Sequence, residues 1–302
     1  RTLSKIESCD NIDPTELSGM IDGISVKLEA SEGMTEGWFD KLQRIQTDPL
    51  AGLLNTGLRD LDPYSPAQGE FVIIAARPST GKTAMAIDIL DRVSESGLRC
   101  LFFSLEMSRA AIDLRRVSRA SGVRMDKMRQ RGSLLSGDYN KIGEAATKLK
   151  KLPVHIIDNM YNVSQIEGMV RRGKLRGQLD LVFIDYLQII RTIGRDRYES
   201  TTEVVQSLSR MAHSLGVTTI LLSQLSRNCE RENREPVLSD LRDSGAIEEA
   251  ADIVWFLHRP DRYEGGQTMQ VICAKDRNGP IGRTSLAYDP GLNRFSSEKF
   301  PY

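Results

Sequence analysis

The sequence predicts an α/β protein with a mostly parallel sheet, helices on both of its faces, and antiparallel strands at its C-terminal end. Short runs of almost wholly apolar residues, rich in β-branched and aromatic types, are typical of buried parallel strands. Amphipathic segments of helical period separate these runs. After residue 253 the strands follow one another with only turns between them, which favours antiparallel pairing.

The elements follow from these patterns in chain order. Five strands are predicted in the first part, at 71–76 (FVIIAA), 100–106 (CLFFSLE), 154–158 (VHIID), 181–185 (LVFID) and 218–224 (TTILLSQ). Five helices are predicted at 84–96, 108–121, 138–150, 163–175 and 201–215. The antiparallel strands are expected in the runs IVWFLHR, MQVICAKDR and RTSLAYDP. This part of the chain, residues 49–302, is predicted to form one domain.

Residues 1–48 have a different character and are predicted to be a linker region with one amphipathic helix. A narrow apolar stripe at helical spacing supports the helix, and it consists of Leu17, Met20, Ile21, Ile24 and Leu28. This helix either folds back on its own domain or docks on another subunit, and the residues do not decide between these. The chain begins with Arg1 and not Met, so we expect a fragment or processed chain with a further domain upstream.

Composition narrows the class of protein. The charged residues balance, with 41 Lys and Arg against 41 Asp and Glu, and no apolar run is long enough to span a membrane. The four scattered cysteines fit neither a disulfide framework nor a zinc site, and they suit the reduced thiols of a cytoplasmic protein; they are Cys9, Cys100, Cys229 and Cys273. The three histidines are isolated, and we expect none to bind a metal.

The stretch 75–84, AARPSTGKTA, ends as a phosphate-binding loop does. Gly81-Lys82-Thr83 match the end of the pattern G-x-x-x-x-G-K-[ST], but Ala76 stands where the first glycine belongs. The loop lies between a predicted buried strand and a predicted helix, as phosphate binding by backbone N–H groups and a helix N-terminus requires. We expect that Ala76 needs no positive φ. The residues predicted to bind the nucleotide are Arg77, Pro78, Ser79, Thr80, Gly81, Lys82, Thr83 and Ala84.

Three polar residues at strand ends could complete this site. A metal held by Thr83 needs a carboxylate at the end of a neighbouring strand, and Asp185 supplies it unless it only caps a turn. Glu106, on a strand expected beside the loop strand, could activate water or support the helix that starts near Ser108. Gln224 could contact a γ-phosphate or only satisfy nearby backbone groups.

Read in order, the runs SLEM, FIDYLQ, LLSQLSR, SDLRDSG and AKDRNGPIG make the chain resemble the DnaB family of replicative helicases from about residue 55 to 295. The resemblance implies a RecA-like fold, assembly into a homo-hexameric ring, and hydrolysis of ATP with Mg²⁺ at subunit interfaces. It also implies movement along single-stranded DNA from 5′ to 3′. In this family alanine commonly replaces the first glycine of the phosphate loop, so Ala76 does not indicate a decayed site.

The resemblance also implies roles for single residues. Lys82 and Thr83 would bind the phosphates and Mg²⁺, Asp185 would be the second metal anchor, Glu106 the catalytic base and Gln224 the γ-phosphate sensor.

Other matched residues would act on a neighbouring subunit or on DNA. In KDRNGP, Lys275 and Arg277 would reach a neighbour's ATP, with Arg277 as the arginine finger. In SDLRDSG, Arg242, Asp243 and Gly245 would line the DNA channel. Asp243 replaces the family's usual glutamate, so a direct contact from this shorter side chain is in doubt. From the residues alone, Arg242 could instead form a surface ion pair with Asp240 or Asp243.

Three segments bear on DNA binding. The loops RTIGRDRYES and SRNCERENREP carry arginines and almost no aromatic residues, which favours contact with the DNA backbone over base stacking. The segment 115–132 holds seven basic residues and one acid. It is either a solvated helical face or a patch that faces DNA or a partner, and its Arg115 matches a recurrent family arginine without an assigned role.

The front of the chain departs from the family, whose complete members carry an N-terminal domain that meets primase. We therefore expect a divergent member, such as one encoded by a phage or plasmid, in a bacterial cytoplasm, with primase and a helicase loader as partners. Two alternatives differ in class. A recombination or clock-type ATPase would share the phosphate loop but lack the joint SDLRDSG and KDRNGP pattern. A non-hydrolysing, ATP-gated DNA-binding ring would need neither Glu106 nor Arg277.

Overall fold

A computed structural model describes residues 52–190, 197–226, 234–241, 244–260 and 267–297. The predicted linker helix and the boundary between residues 48 and 49 lie outside these ranges. No helix in the described part of the chain is long and apolar enough to cross a membrane.

The described residues form nine strands and seven α-helices. The strands are β1 (Phe71–Ala76), β2 (Cys100–Ser104), β3 (Val154–Ile157), β4 (Leu181–Asp185), β5 (Thr218–Gln224), β6 (Ile253–His258), β7 (Thr268–Asp276), β8 (Gly282–Asp289) and β9 (Arg294–Ser296). The helices are α1 (Lys82–Glu95), α2 (Arg109–Ser121), α3 (Met125–Arg129), α4 (Ser136–Lys150), α5 (Val163–Leu175), α6 (Arg197–Leu215) and α7 (Ser244–Ala250). Short 3₁₀ helices span Asp62–Tyr64, Leu187–Ile189 and Leu238–Asp240.

All nine strands belong to one sheet, in the order β3-β2-β4-β5-β1-β6-β7-β8-β9. The strands from β3 to β6 are parallel, and β7, β8 and β9 add antiparallel strands at one end. The predicted α/β class, with its change from parallel to antiparallel pairing, is confirmed.

The strand order corrects one prediction. The expectation that β2, which precedes Glu106, lies beside β1 is wrong, because β4 and β5 lie between them. Asp185 likewise ends the second strand from β1, and not its direct neighbour. The reason is topological: in a doubly wound sheet the chain skips strand positions that later strands fill, so neighbours in sequence need not pair. Glu106 itself follows β2, which ends at Ser104, and does not belong to the strand.

The core has two layers because the side chains of each strand alternate between the faces of the sheet. Val72 and Ile74 of β1 pack on the face covered by α1, in a cluster that includes Phe102 and Trp255. Their neighbours on the other face, such as Ile73, pack in a second cluster with residues of α5, α6 and α7. Every residue of β1 is buried, so the loop that follows this strand starts from a rigid support.

Buried charges join α2 to α1. Arg116 donates a 2.7 Å hydrogen bond to Asp91, and Arg119 donates to Asp88, which also accepts a 2.6 Å hydrogen bond from the backbone of Phe295. Both carboxylates are fully buried. Burial raises the pKa of Asp91, although the two arginines counteract this. The network fixes the orientation of α2, the helix that follows Glu106.

Cys100 and Cys273 are buried and form no disulfide. Burial raises the pKa of each thiol to about 12. Neither is therefore a reactive thiolate near neutral pH. Cys9 and Cys229 lie outside the described residues.

Candidate active site

The loop between β1 and α1 has the backbone conformation of a phosphate-binding turn. Ser79 and Gly81 both have positive φ, of 60° and 120°, and the Thr80 N–H donates to the Arg77 carbonyl over 3.2 Å. A side chain at Gly81 would place its Cβ 3.1 Å from the ring of Tyr288. Gly81 therefore satisfies a steric as well as a conformational requirement.

Helix α1 begins in a way that favours an anion. Gly81 supplies no side-chain cap, and the first turn of the helix contains no acidic residue. The N-terminal N–H groups and the positive end of the helix dipole consequently point into the loop without a negative side chain of the first turn to balance them.

Ala76 occupies the last position of β1, paired with Gln224 of β5 and Leu257 of β6. It is fully buried and has no positive φ. The expectation for Ala76 is confirmed: at this point the chain is still an ordinary strand, where a glycine has no conformational advantage.

Thr83, Asp185 and Lys82 meet at the carboxyl ends of β1 and β4. The Thr83 hydroxyl donates a 2.6 Å hydrogen bond to Oδ2 of Asp185. Nζ of Lys82 lies 3.9 Å from Oδ1 of Asp185 and 4.4 Å from the centre of the Tyr186 ring. Among the described residues, neither this Nζ nor this Oδ1 has a hydrogen-bond partner, although both are buried. Two buried ionisable atoms thus have unused bonding capacity toward the loop.

Burial dominates the protonation of this pair. It lowers the pKa of Lys82, and Asp185 and Glu106 only partly counteract it. It raises the pKa of Asp185 against the charges of Lys82 and Arg115 and the Thr83 hydrogen bond. Both charged forms would gain from a ligand that carries compensating charge and hydrogen-bonding atoms.

A cavity of about 360 Å³ opens above the loop, a size that suits a small-molecule ligand. Predicted site residues line it, namely Arg77, Pro78, Ser79, Gly81, Lys82, Thr83, Ala84, Glu106 and Gln224. Thr80, also part of the loop, is buried and does not line the cavity. The structure therefore brings together residues from three separate stretches of the sequence.

Glu106 is exposed where it lines this cavity, and its carboxylate acts on the charges of Lys82 and Arg115. The alternative role of supporting α2 is filled by other residues. Ser108 caps this helix by accepting from Ala111, and Asp158 accepts a 2.6 Å hydrogen bond from the Arg109 N–H. This leaves the Glu106 carboxylate available to the cavity.

Gln224 and Arg77 connect the loop to β5. The side chain of Gln224 lines the cavity at the end of β5, while its backbone N–H donates to Oε1 of Gln188 over 3.3 Å. Arg77 donates to the carbonyls of Leu225 and Ser226, which follow Gln224. A displacement of Gln224 would therefore be transmitted to the segment after β5.

The cavity wall also contains residues that the sequence analysis did not assign to this site, among them Arg115, Tyr288 and Asn293. Arg115 lies on α2, donates to Asn293 over 3.4 Å, and has its pKa lowered by burial. The signals in the sequence are its position in the basic segment 115–132 and its match to a recurrent family arginine, and neither assigns it to this cavity. Tyr288 lies near the end of β8 and Asn293 follows in a turn, far along the chain from the loop, and no local pattern marks either of them.

The basic segment 115–132 is mostly occupied by internal contacts. Arg116 and Arg119 form the buried network with α1, Arg124 lies 3.6 Å from Asp289, and Lys127 lies 2.5 Å from Asp138. Arg115, Arg116 and Arg119 therefore do not belong to a solvated face, whereas Arg124, Arg129 and Arg131 are exposed. A role of these exposed residues toward DNA or a partner stays a prediction.

Lys275 and Arg277 lie far from the cavity within the same chain. Asp276 pairs with Ile253 at the start of β6, so these two residues flank the edge of the sheet opposite the phosphate loop. Lys275 donates to the Ala251 carbonyl over 2.6 Å, and Arg277 donates to the Glu249 carbonyl over 2.7 Å. A site that used Arg277 with this cavity would need a second subunit.

Of the three residues predicted to line a DNA channel, the structure describes only Gly245. It lies exposed in the first turn of α7. Arg242 and Asp243 lie outside the described residues, as do most of the two arginine-rich loops. Asp240, the candidate ion-pair partner of Arg242, binds Arg234 through hydrogen bonds of 2.5 and 2.9 Å.

Comparison with known proteins gives a consistent result. The model of the family described as "DnaB-like helicase C terminal domain" matches residues 53–297. A probable plasmid replicative DNA helicase of Chlamydia muridarum (strain MoPn / Nigg) is 40% identical over 252 residues, which is 82% of this chain and 55% of that protein. The replicative DNA helicase DnaB of Geobacillus stearothermophilus is 37% identical, over 80% of this chain and 55% of that protein. The chain thus spans about half the length of these curated relatives.

Solved structures agree. One of them, described as an ATPase domain, superposes with a TM-score of 0.80 and 31% identity, covering 88% of this chain and 99% of that one. A DnaB-like replicative helicase, solved in a study of its interactions with primase, gives a TM-score of 0.79 and 30% identity, covering 98% of this chain and 74% of that one. A KaiC-like protein of Pyrococcus horikoshii, 18% identical with a TM-score of 0.55, shares the fold alone.

Proposed function

The chain belongs to the family of DnaB-like helicase C-terminal domains, and on this premise we propose that it is the ATP-driven motor of a hexameric replicative DNA helicase. The observation that carries the proposal is a pair of buried atoms without hydrogen-bond partners among the described residues, Nζ of Lys82 and Oδ1 of Asp185. Lys82 lines the cavity above the phosphate-binding turn, and Asp185 lies behind it, with its Oδ1 3.9 Å from the lysine Nζ. A charge pair left incompletely bonded is costly in a folded protein, so its presence indicates a ligand that completes it.

The donor set fits a nucleotide with Mg²⁺. The loop from Arg77 to Gly81 and the start of α1 would bind the phosphates, with Lys82 compensating their charge. Mg²⁺ prefers oxygen ligands and keeps several waters, so the Thr83 hydroxyl and a water-mediated Asp185 would suffice to hold it. When bound, Mg²⁺ would stabilise the negative charge that develops on the phosphates.

Glu106 and Gln224 are proposed to act on the attacking water and on the γ-phosphate. Glu106 lies at the exposed side of the cavity, where water can reach it, and it would accept the proton of that water. Gln224 would hydrogen-bond the γ-phosphate from the end of β5. Because the following carbonyls are held by Arg77, loss of the γ-phosphate would be transmitted to the segment after β5.

Arg277 and Lys275 are proposed to complete the site of a neighbouring subunit. Their placement at the edge of the sheet opposite the loop supports this, because in a ring a head-to-tail contact apposes opposite sides of adjacent subunits. An arginine supplied in trans contributes about 10³–10⁵ in rate in related phosphoryl transfer. Both side chains bind carbonyls at the C-terminal end of α7 in this structure, so they would exchange these acceptors for phosphate oxygens.

We propose that the motor moves along single-stranded DNA. The DNA would be bound by Arg242, Asp243, Gly245 and the loops that follow β4 and β5. These loops are rich in arginine and poor in aromatic residues, which suits binding to phosphates without sequence preference. Movement would run from 5′ to 3′ and displace the other strand of a fork. Primase and a helicase loader are proposed partners in a bacterial cytoplasm, in line with the primase interaction of one structural neighbour.

The test is unwinding of forked DNA by the wild-type chain, Glu106→Gln and Arg277→Ala with ATP and Mg²⁺. ATP hydrolysis in the presence of single-stranded DNA is measured in parallel. We expect unwinding of forks with a 5′ tail, and loss of hydrolysis by about 10²–10⁴ in Glu106→Gln with nucleotide binding retained. Hydrolysis without strand separation or translocation would favour a recombination or clock-type ATPase. Nucleotide and DNA binding without hydrolysis would favour a gated ring.

A further inference from the structure

A second cavity, of about 520 Å³, lies away from the active site between α5 and the edge strand β3. We name it the α5–β3 pocket. Leu101, Ile157, Met169 and Leu179 form its apolar floor, and Arg172 and Arg176 lie on its rim. Because β3 is the end strand of the sheet, no further strand of the described residues covers this side.

The pocket exists because α5 stops covering the sheet before the sheet ends. Val163, Ile166 and Val170 of this helix are buried against the core. Over β3, the end of the same helix presents Gly173 and Arg176 in place of large apolar side chains. As a result His155, which pairs in register with the buried Leu101, is exposed.

The rim carries a strong local positive charge although the whole chain is neutral. Four of the six residues from 171 to 176 are basic and none is acidic. Within the described part of the chain, Arg171, Arg172 and Arg176 have no ion pair. Two acids of this region are engaged elsewhere: Asp180 accepts hydrogen bonds of 2.7 and 2.8 Å from Arg99, and Glu167, one turn before Arg171 on α5, accepts a 2.5 Å hydrogen bond from Ser207. Basic residues near the end of a helix complement its dipole, but this does not account for Leu175 beside them, which is 80% exposed.

We propose that the α5–β3 pocket binds an acidic segment of a partner protein, which inserts one large apolar side chain between α5 and β3. A concave apolar floor bordered by arginines without ion pairs matches an anchor residue with flanking carboxylates. Nucleic acid fits less well, because the pocket is a single concavity and not a groove, and no Phe, Tyr or Trp of the described residues lines it for base stacking. The proposal is independent of the proposed function, since it requires neither ATP nor DNA.

The probe is a fluorescein-labelled peptide, Gly-Asp-Glu-Asp-Leu-Phe, whose binding to the nucleotide-free chain is followed by fluorescence anisotropy. One matched peptide replaces Leu and Phe by Ser, and another replaces the acids by Lys. The double variant Arg172→Glu/Arg176→Glu reverses the rim charge, and His155→Trp fills the pocket without adding charge. Lys141→Glu/Lys150→Glu on α4 is the control, since it reverses the same number of exposed charges elsewhere.

We expect saturable binding of the acidic apolar peptide with a Kd of about 10–100 μM. Both matched peptides, the rim variant and His155→Trp should each weaken it at least about tenfold, while the control variant binds as wild type does.

Four outcomes would overturn the proposal. The first is that the acidic apolar peptide shows no saturable binding up to about 1 mM. The second is that the Ser peptide binds as tightly as the acidic apolar peptide. The third is that the rim variant loses binding of oligothymidylate while its binding of the peptide is unchanged. The fourth is a change of oligomeric state in that variant, which would assign the face to a second copy of the chain.

Discussion

Thr83 donates its hydroxyl hydrogen bond to Asp185 over 2.6 Å, joining residues 102 positions apart in the sequence. The contact links the first turn of α1 to the end of β4, although β5 lies between β4 and β1 in the sheet. It holds the two proposed Mg²⁺ anchors in place before any ligand binds. Preorganisation of this kind lowers the reorganisation needed on binding.

Replacing both members of the buried pair should stabilise the ligand-free protein and abolish its activity. Burial raises the pKa of Asp185 and lowers that of Lys82. At pH 7, which lies above the ordinary carboxyl pKa and below the ordinary lysine pKa, both groups therefore reduce the free energy of unfolding. In Lys82→Met/Asp185→Asn we expect Tm to rise by about 2–4 °C, the shift produced by roughly 1 kcal/mol.

The check is thermal unfolding with and without ATP and Mg²⁺. The wild type should gain stability from the ligands and the double variant should not. A lower Tm in the ligand-free double variant would show that the pair stabilises the fold, contrary to our interpretation.

The two ends of the phosphate loop should respond in opposite ways to small changes. Ala76→Gly should leave nucleotide affinity unchanged and lower the free energy of unfolding by about 0.5–1 kcal/mol, since position 76 is a strand residue. Gly81→Ala should weaken nucleotide binding by about tenfold or more, because it strains a φ of 120° and meets Tyr288. Titration with a fluorescent ATP analogue and urea unfolding measure both effects. Tighter nucleotide binding by Ala76→Gly would show that the missing glycine weakens the site.

The charge network between α1 and α2 should be a large contributor to stability. Arg116→Ala leaves the fully buried Asp91 without its 2.7 Å partner and should cost about 3–5 kcal/mol. Arg129→Ala, at an exposed position on α3, is the matched control and should change the free energy of unfolding by less than about 0.5 kcal/mol. Urea unfolding of both variants gives the comparison. Similar values for the two would contradict the role given to the network.

The strands and helices, and the site residues at or after strand ends, could be predicted from the sequence because the patterns that indicate them are local. β1 and β4 are continuous apolar runs, and Lys82 and Asp185 lie at or just beyond their ends, so their meeting at one edge of the sheet follows from parallel strands. The placement of β2 could not be predicted, because the order of strands depends on crossovers and not on any strand's own residues. Arg115 and Tyr288 escape prediction because tertiary packing alone brings them to the cavity.

Short elements escape prediction for another physical reason. β9 has three residues and α3 has five, so neither shows a full period of apolar residues. Both are held by the larger elements around them: Phe295 of β9 is bound to Asp88 of α1, and Met125 of α3 donates its N–H to the Gly291 carbonyl.

The central claim is that the cavity at Lys82 hydrolyses ATP only when a neighbouring subunit supplies Arg277. Its most direct test is single-strand-stimulated ATP hydrolysis by an equimolar mixture of Lys82→Ala and Arg277→Ala chains. Each variant alone should be inactive, but in mixed rings about one interface in four pairs an intact cavity with an intact Arg277. Mass measurement of the assemblies verifies that the chains mix, and each variant mixed with wild type is the control. The account predicts that hydrolysis returns on mixing; verified mixed rings that remain inactive, or full activity of Arg277→Ala alone, would contradict it.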